Sequence, residues 1–240
     1  MPRAAALLGV PVIGLLVLLI NPELDGRWEH HPSHFWLVLA TGLVNLVLGV
    51  VAADAARRRS DARLVLVGLS FMAAAGFLGL HALATPGVLL AQPNAGFVVS
   101  TPVGLLIASV LAAFSSLDLH ESGPRIVALQ RPLTYGLVAV MAVWAGCSLA
   151  GVQPLNTRLD EDGATAVLRV LAFPGLAFYL FASWRYLALF RRRRSSLALA
   201  LFAAYVLLAE ALLAVTFGRN WHTSWWEWHV LMLVAFVIVA

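Results

Sequence analysis

The 240-residue chain contains no lysine and a single cysteine, Cys147. One thiol excludes an internal disulfide and any multi-thiolate metal centre built within the chain. Charge is scarce as well: 12% of residues are charged against 61% hydrophobic, with a mean hydropathy of +0.88. A surface of that composition cannot be wetted, which excludes an ordinary soluble domain and defines an integral membrane protein. Also missing are a glycine-rich phosphate loop, a GxSxG elbow, an HExxH pattern and any aqueous segment long enough for a catalytic domain. No catalytic motif is therefore assigned. All sixteen basic residues are arginine, and the isoelectric point lies near 10. In so apolar a chain the arginines orient helices at the bilayer surface, and nucleic acid is not an expected partner.

The dominant feature is a series of long apolar runs. At 1.5 Å per residue a span needs about 20 residues. The runs predict an all-α, polytopic bundle of eight transmembrane helices at about 4–20, 34–53, 64–84, 97–114, 133–152, 167–190, 195–217 and 228–240, the last barely long enough, in one transmembrane domain covering 1–240. The first run follows Arg3 and closes at Asn21-Pro22. A signal peptide is the competing reading, but the segment before it has one charge and no small-x-small cleavage pattern follows closely. Pro102, in the first turns of the fourth run, is compatible with a helix start, whereas Pro174-Gly175 predicts a kink in the sixth. Gly76, Gly79 and the neighbouring alanines of the third run are expected to admit close helix packing.

The arginines set the orientation. With the N-terminus inside, Arg57, Arg58, Arg59, Arg63, Arg125, Arg131 and Arg191 to Arg194 all fall on one side, with Arg185 within snorkelling reach of it. The opposite side holds only Arg27, Arg158, Arg169 and Arg219. Cytoplasmic loops retain arginine, so both termini are expected in the cytoplasm and the protein in the inner or plasma membrane as a multi-pass chain.

Residues 219–229, Arg-Asn-Trp-His-Thr-Ser-Trp-Trp-Glu-Trp-His, pack four tryptophans and two histidines between two apolar runs. Tryptophan gathers where its ring meets hydrocarbon and its N–H meets water, which reads as an interfacial belt or, alternatively, a ligand cage. On the predicted topology His30, His31, His34, His81, His222 and His229 share the outer face, while Glu210 lies about two turns below it. Imidazole binds zinc, copper and iron, and a carboxylate inside a membrane is costly unless paired or protonated. His34, His81, Glu210, His222 and His229 are therefore the candidate ligands of a metal or haem site, with copper, zinc or haem as the candidate cofactor. Topology alone also gathers amphipathic histidines at an interface, and the spacing does not decide between the two. The set Ser70, His81, Glu210, His222 and His229 shares residue types with zinc-dependent membrane hydrolases, but its spacing departs from theirs.

The segment from Gly79-Leu80-His81 through Ser100-Thr101-Pro102-Val103-Gly104, with Leu208-Ala209-Glu210 and Asn220-Trp221-His222 through Trp228-His229, resembles the multi-pass region of actinobacterial membrane-anchored signalling proteins of the class III adenylate/guanylate cyclase type. The resemblance implies a membrane sensor or anchor that signals through its last helix to a C-terminal cyclase or kinase domain beyond residue 240. It assigns no ligand and no catalytic residue here. The expected function is thus sensing or anchoring, with the lipid bilayer as partner and a homodimer as a further one. The alternatives are an eight-span protein similar to copper-resistance membrane proteins, for metal transport, and a haem-binding electron carrier with paired axial histidines.

Overall fold

The computed structural model describes residues 7–83, 85, 94–157 and 161–239, with backbone alone for 161–165. Within these residues the chain forms helices and no strand, and its one β-bridge is the isolated pair Arg27 and His222. The helices are α1 (Val10–Ile20), α2 (His31–Arg59), α3 (Ala62–Ala82), α4 (Ala95–Val98), α5 (Ser100–Ser115), α6 (Gly123–Ala128), α7 (Gln130–Leu149), α8 (Glu161–Arg193), α9 (Ser196–Phe217) and α10 (Thr223–Val239). Five of them, α2, α3, α7, α8 and α9, are long and apolar enough to cross a membrane. Val10–Ile20, Ser100–Ser115 and Thr223–Val239 are shorter apolar helices.

Local sequence explains where the long helices stop. Each arginine run ends in a left-handed residue followed by a cap. After Arg57-Arg58-Arg59, Ser60 takes φ +48° and Asp61 accepts hydrogen bonds from the Arg63 and Leu64 N–H groups at 2.9 and 3.3 Å. After the second run, Arg194 takes φ +52° and the Ser195 hydroxyl accepts from the Ala198 N–H at 3.3 Å. Basic side chains close the helix carbonyl ends while Asp or Ser satisfies the next free N–H groups, so both turns are tight and reverse the chain. Two arginines stitch the same end of the bundle together: Arg63 donates to the Ser115 and Leu117 carbonyls, and Arg185 to that of Ser116.

Helices α3 and α9 occupy the centre. α3 packs against α2 and α5, α9 against α8 and α10, and α5 against α8. The outer faces of α2 and α7 stay apolar and exposed, with Leu43, Val47, Val51, Tyr135 and Val143 outward, consistent with contact to lipid. The core holds Phe71, Leu105, Leu201, Leu208 and Phe236, together with the buried tyrosines Tyr179, Tyr186 and Tyr205. Tyr186 is anchored to Ser115 through their hydroxyls at 2.8 Å.

Several boundaries differ from the sequence expectation. α2 and α8 are longer at both ends because charged side chains at a helix terminus do not end it until a cap does; α8 also continues through Pro174. α10 starts five residues earlier than predicted and carries Ser224 to Trp228 in its first turns. Close packing falls on Gly76, as expected, and on two further glycines, but not on Gly79. Gly49 and Gly68 bring the backbones of α2 and α3 together, and a Cβ at either would meet the partner's carbonyl at 3.3 Å; Gly76 receives Met141 of α7. Gly79 has no neighbour within 4 Å of where its Cβ would lie, so its position leaves room for a methyl group. Between the apolar runs, residues 86–93 and 158–160 lie outside the described residues.

Candidate metal centre

Three helices each bring one imidazole to the same point. His34 stands in the first turn of α2, His81 in the last turn of α3 and His229 in the second turn of α10. Their ring centroids are 5.4 Å apart for His34 and His81, 5.0 Å for His34 and His229, and 6.3 Å for His81 and His229. The His34 plane is nearly perpendicular to the other two, at 88° and 87°. One ring nitrogen from each lies within 4.8 Å of the others. Three atoms so spaced fit within a circle of about 2.8 Å radius, and an inward movement of the rings by less than about 1 Å brings them to the 2.0–2.1 Å of a zinc–imidazole bond.

The hydrogen bonding is uniform across the three rings. Nδ1 of His34 meets the Thr85 hydroxyl at 2.9 Å, Nδ1 of His81 the Phe97 carbonyl at 3.4 Å, and Nδ1 of His229 the Trp225 carbonyl at 3.2 Å. A carbonyl only accepts, so Nδ1 of His81 and of His229 carries the proton, and the lone pair is left on Nε2. In all three residues Nε2 is buried and has no partner among the described residues. Buried polar atoms are nearly always satisfied, and two orphaned acceptors beside a third unpartnered ring nitrogen, which the Thr85 hydroxyl lets be an acceptor too, are an arrangement a cation resolves.

An aromatic shell encloses the trio. Trp225 lies 5.0 Å from His34 and 4.4 Å from His229, Trp221 lies 5.5 Å from His34, and Trp228 lies 5.5 Å from His81 and stacks on His229 at 3.5 Å. The predicted belt therefore lies against the histidines. Of its four tryptophans Trp226 and Trp228 are buried and Trp221 and Trp225 half-buried, and all four fold against the cluster. Trp221 adopts φ +62°, an uncommon conformation for a bulky residue, and its carbonyl accepts from the Trp28 N–H at 2.7 Å. That contact joins the α1–α2 loop to the start of α10. The Asp25 carboxylate and the Gly26 carbonyl reinforce it by accepting from Ser224 and Thr223, and the Trp226 indole donates to the Trp28 carbonyl.

The other predicted ligands stand apart from the converging group. His222 sits on the loop before α10, with Nδ1 2.9 Å from the Asn220 carbonyl, half-buried and outside the trio. Glu210, 8% exposed on α9, is also outside it; the nearby charge is that of Glu227 on α10. His30 is used as a helix cap, with Nδ1 accepting from the Ser33 N–H at 3.2 Å. At the solvent rim, the Arg27 guanidinium beside Glu29 holds that carboxyl below its ordinary range. Sequence reasoning missed Thr85 and Asp25, whose roles depend on partners 51 and 199 residues away.

The trio sits at the end of the bundle opposite the arginines, since His34 and Arg59 are separated by roughly 37 Å along α2. The fold and site thus define an all-helical protein with membrane-length apolar helices and a three-histidine cluster able to hold a metal ion at one rim. Comparison with protein families, with curated proteins and with solved structures finds no match to this chain.

Proposed function

We propose that this chain is a polytopic membrane protein that binds a transition-metal ion through His34, His81 and His229 and acts as a metal-responsive sensor or anchor. The observation that carries the reading is the common state of the three rings: Nδ1 hydrogen-bonded, Nε2 buried and unpartnered, all from different helices. An ion shared by α2, α3 and α10 ties together helices that otherwise meet unevenly, because α10 packs along α9 and touches α2 over a shorter stretch. Binding therefore favours the packing in which the three rings converge, and occupancy is transmitted as a shift of α10. In this proposal all eight apolar helices cross a plasma or inner membrane, the arginine end faces the cytoplasm and the histidine end faces out. Motion of α10 would then reach a cytoplasmic output domain, such as a nucleotide cyclase, or a second copy of the chain.

Haem fits the trio poorly. If two of the rings were axial ligands, the third would lie in the space the macrocycle has to occupy. A transport reading is favoured by one observation: Asn45, eleven residues along α2 from His34, is fully buried with neither amide atom partnered among the described residues. Metal uptake into proteoliposomes separates transport from sensing.

The primary test is elemental analysis of purified protein. One ion per chain is expected, with loss in His34→Ala, His81→Ala and His229→Ala and retention in His222→Ala. A ligand at 100 times its Kd raises stability by about 2.7 kcal/mol, so thermal unfolding should shift on metal addition and return on chelation. Equal metal content in wild type and the three variants would remove the site.

A further inference from the structure

The geometry points to monovalent copper as the ion that this centre selects, a specificity that rests on the metal-binding reading above. Charge is the first argument. Three imidazoles are neutral donors, and among the described residues the converging group contains no carboxylate and no thiolate, so the ion keeps its full charge. The cost of moving an ion out of water rises with the square of its charge, and a divalent ion therefore costs about four times as much as a monovalent one in the same cavity. Water gives little relief, because His34 and His229 are 3% and 2% exposed and all three Nε2 atoms are shut off from solvent.

Coordination is the second argument. Zinc held by three histidines completes a tetrahedron with water or another exogenous ligand, whereas d¹⁰ Cu(I) is satisfied by three nitrogen donors. Trp221, Trp225 and Trp228 pack directly against the trio, with ring centroids 3.5 to 5.5 Å from those of the imidazoles. An indole face attracts a cation and gives a fourth, water-derived ligand no hydrogen-bond acceptor. The centre therefore combines neutral donors, exclusion of water and aromatic faces, which together favour a low-charge, three-coordinate ion. Imidazole donors alone suit zinc and copper alike; the surroundings make the distinction.

The test uses the 240-residue chain in detergent under anaerobic conditions, with Cu(I) delivered from its bicinchoninate complex and Zn(II) as competitor. The expected result is one Cu(I) per chain, retained against an approximately 100-fold excess of Zn(II), with an X-ray absorption edge characteristic of three-coordinate Cu(I) bound by nitrogen alone. Trp225→Leu keeps an apolar side chain and removes the π face; it should weaken Cu(I) binding roughly 3- to 30-fold while changing Zn(II) affinity by less than about twofold. Displacement of Cu(I) by Zn(II), a four-coordinate Cu(I) edge, or equal losses for both ions in Trp225→Leu overturns the selectivity and leaves the metal centre standing. Failure of both ions to bind removes the metal centre itself. The competition on unaltered protein needs no variant, so its answer does not depend on whether Trp225→Leu folds.

Discussion

The carboxylate of Asp25 accepts two hydrogen bonds from Ser224, one from its backbone N–H and one from its hydroxyl, each at 2.8 Å. Asp25 is 4% exposed and Ser224 fully buried, so this contact across 199 residues is sheltered from water and fastens the α1–α2 loop to the first turn of α10. A carboxylate there satisfies a free helix N–H and opposes the positive end of the helix dipole. Hydrogen bonds to a charged group contribute about 1.5–3 kcal/mol each, and Asp25→Asn should therefore lower stability by about 1–3 kcal/mol. Ser224→Ala, which retains the backbone bond, should lose less. Thermal unfolding in detergent measures both, and equal losses would show that the hydroxyl rather than the helix N–H carries the clasp.

Thr85 is expected to act on the metal through His34. Its hydroxyl, 2.9 Å from Nδ1, fixes the orientation of the ring and leaves Nε2 buried and unpartnered beside the other two imidazoles. Loss of such an outer partner typically lowers metal affinity 10- to 100-fold. Thr85→Val should show that loss with little change in unfolding temperature, and Thr85→Ser, which restores the hydroxyl, should recover most of the affinity. An equal deficit in Ser and Val would assign the effect to packing of the threonine methyl.

Two glycines of similar appearance in the sequence should respond in opposite directions. A Cβ at Gly104 of α5 would press on Phe77 of α3, whose ring Cγ lies 3.0 Å away and whose side chain is fully buried. Gly104→Ala should destabilise by about 1–3 kcal/mol through overpacking. Gly79 has open space around it, so Gly79→Ala should be neutral or stabilising by up to about 1 kcal/mol through reduced chain entropy. Chemical denaturation in a single detergent compares the pair, and a Gly79→Ala loss as large as that of Gly104→Ala would contradict the packing described.

The amount of this structure that was legible in sequence follows the range of the interactions. Apolar runs identified all eight long or intermediate helices, because burial or lipid contact is written locally as composition. The ends of α2 and α8 were less legible: arginine runs suggest termini, but the stops are made by Ser60, Asp61, Arg194 and Ser195 through left-handed backbone and capping. His34, His81 and His229 were among the candidates because polarity at a predicted membrane surface is conspicuous. Nothing in their spacing of 47 and 148 residues separates them from His222, since convergence depends on how α2, α3 and α10 pack. Likewise, Gly76 and Gly79 present the same local pattern, and only the position of Met141 gives Gly76 a partner.

Glu210 illustrates the same limit and supplies the remaining test. On α9 it is 8% exposed, its charge interacts with that of Glu227 on α10, and the Oε2 atom of each acid is buried without a partner among the described residues. When both carboxyls are ionised their like charges, bonded to no cation among the described residues, oppose the packing of α9 on α10 that positions His229. Glu210→Gln preserves size and removes one charge. It is expected to raise stability by about 1 kcal/mol, to leave metal stoichiometry unchanged, and to reduce the further gain from Glu227→Gln, because the first substitution has already relieved the shared repulsion. Unfolding curves and metal analysis on the two single variants and the double variant complete the cycle. Additive effects would show that the acids do not interact, while loss of the ion in Glu210→Gln would make Glu210 a counter-charge to the metal and return it to the site.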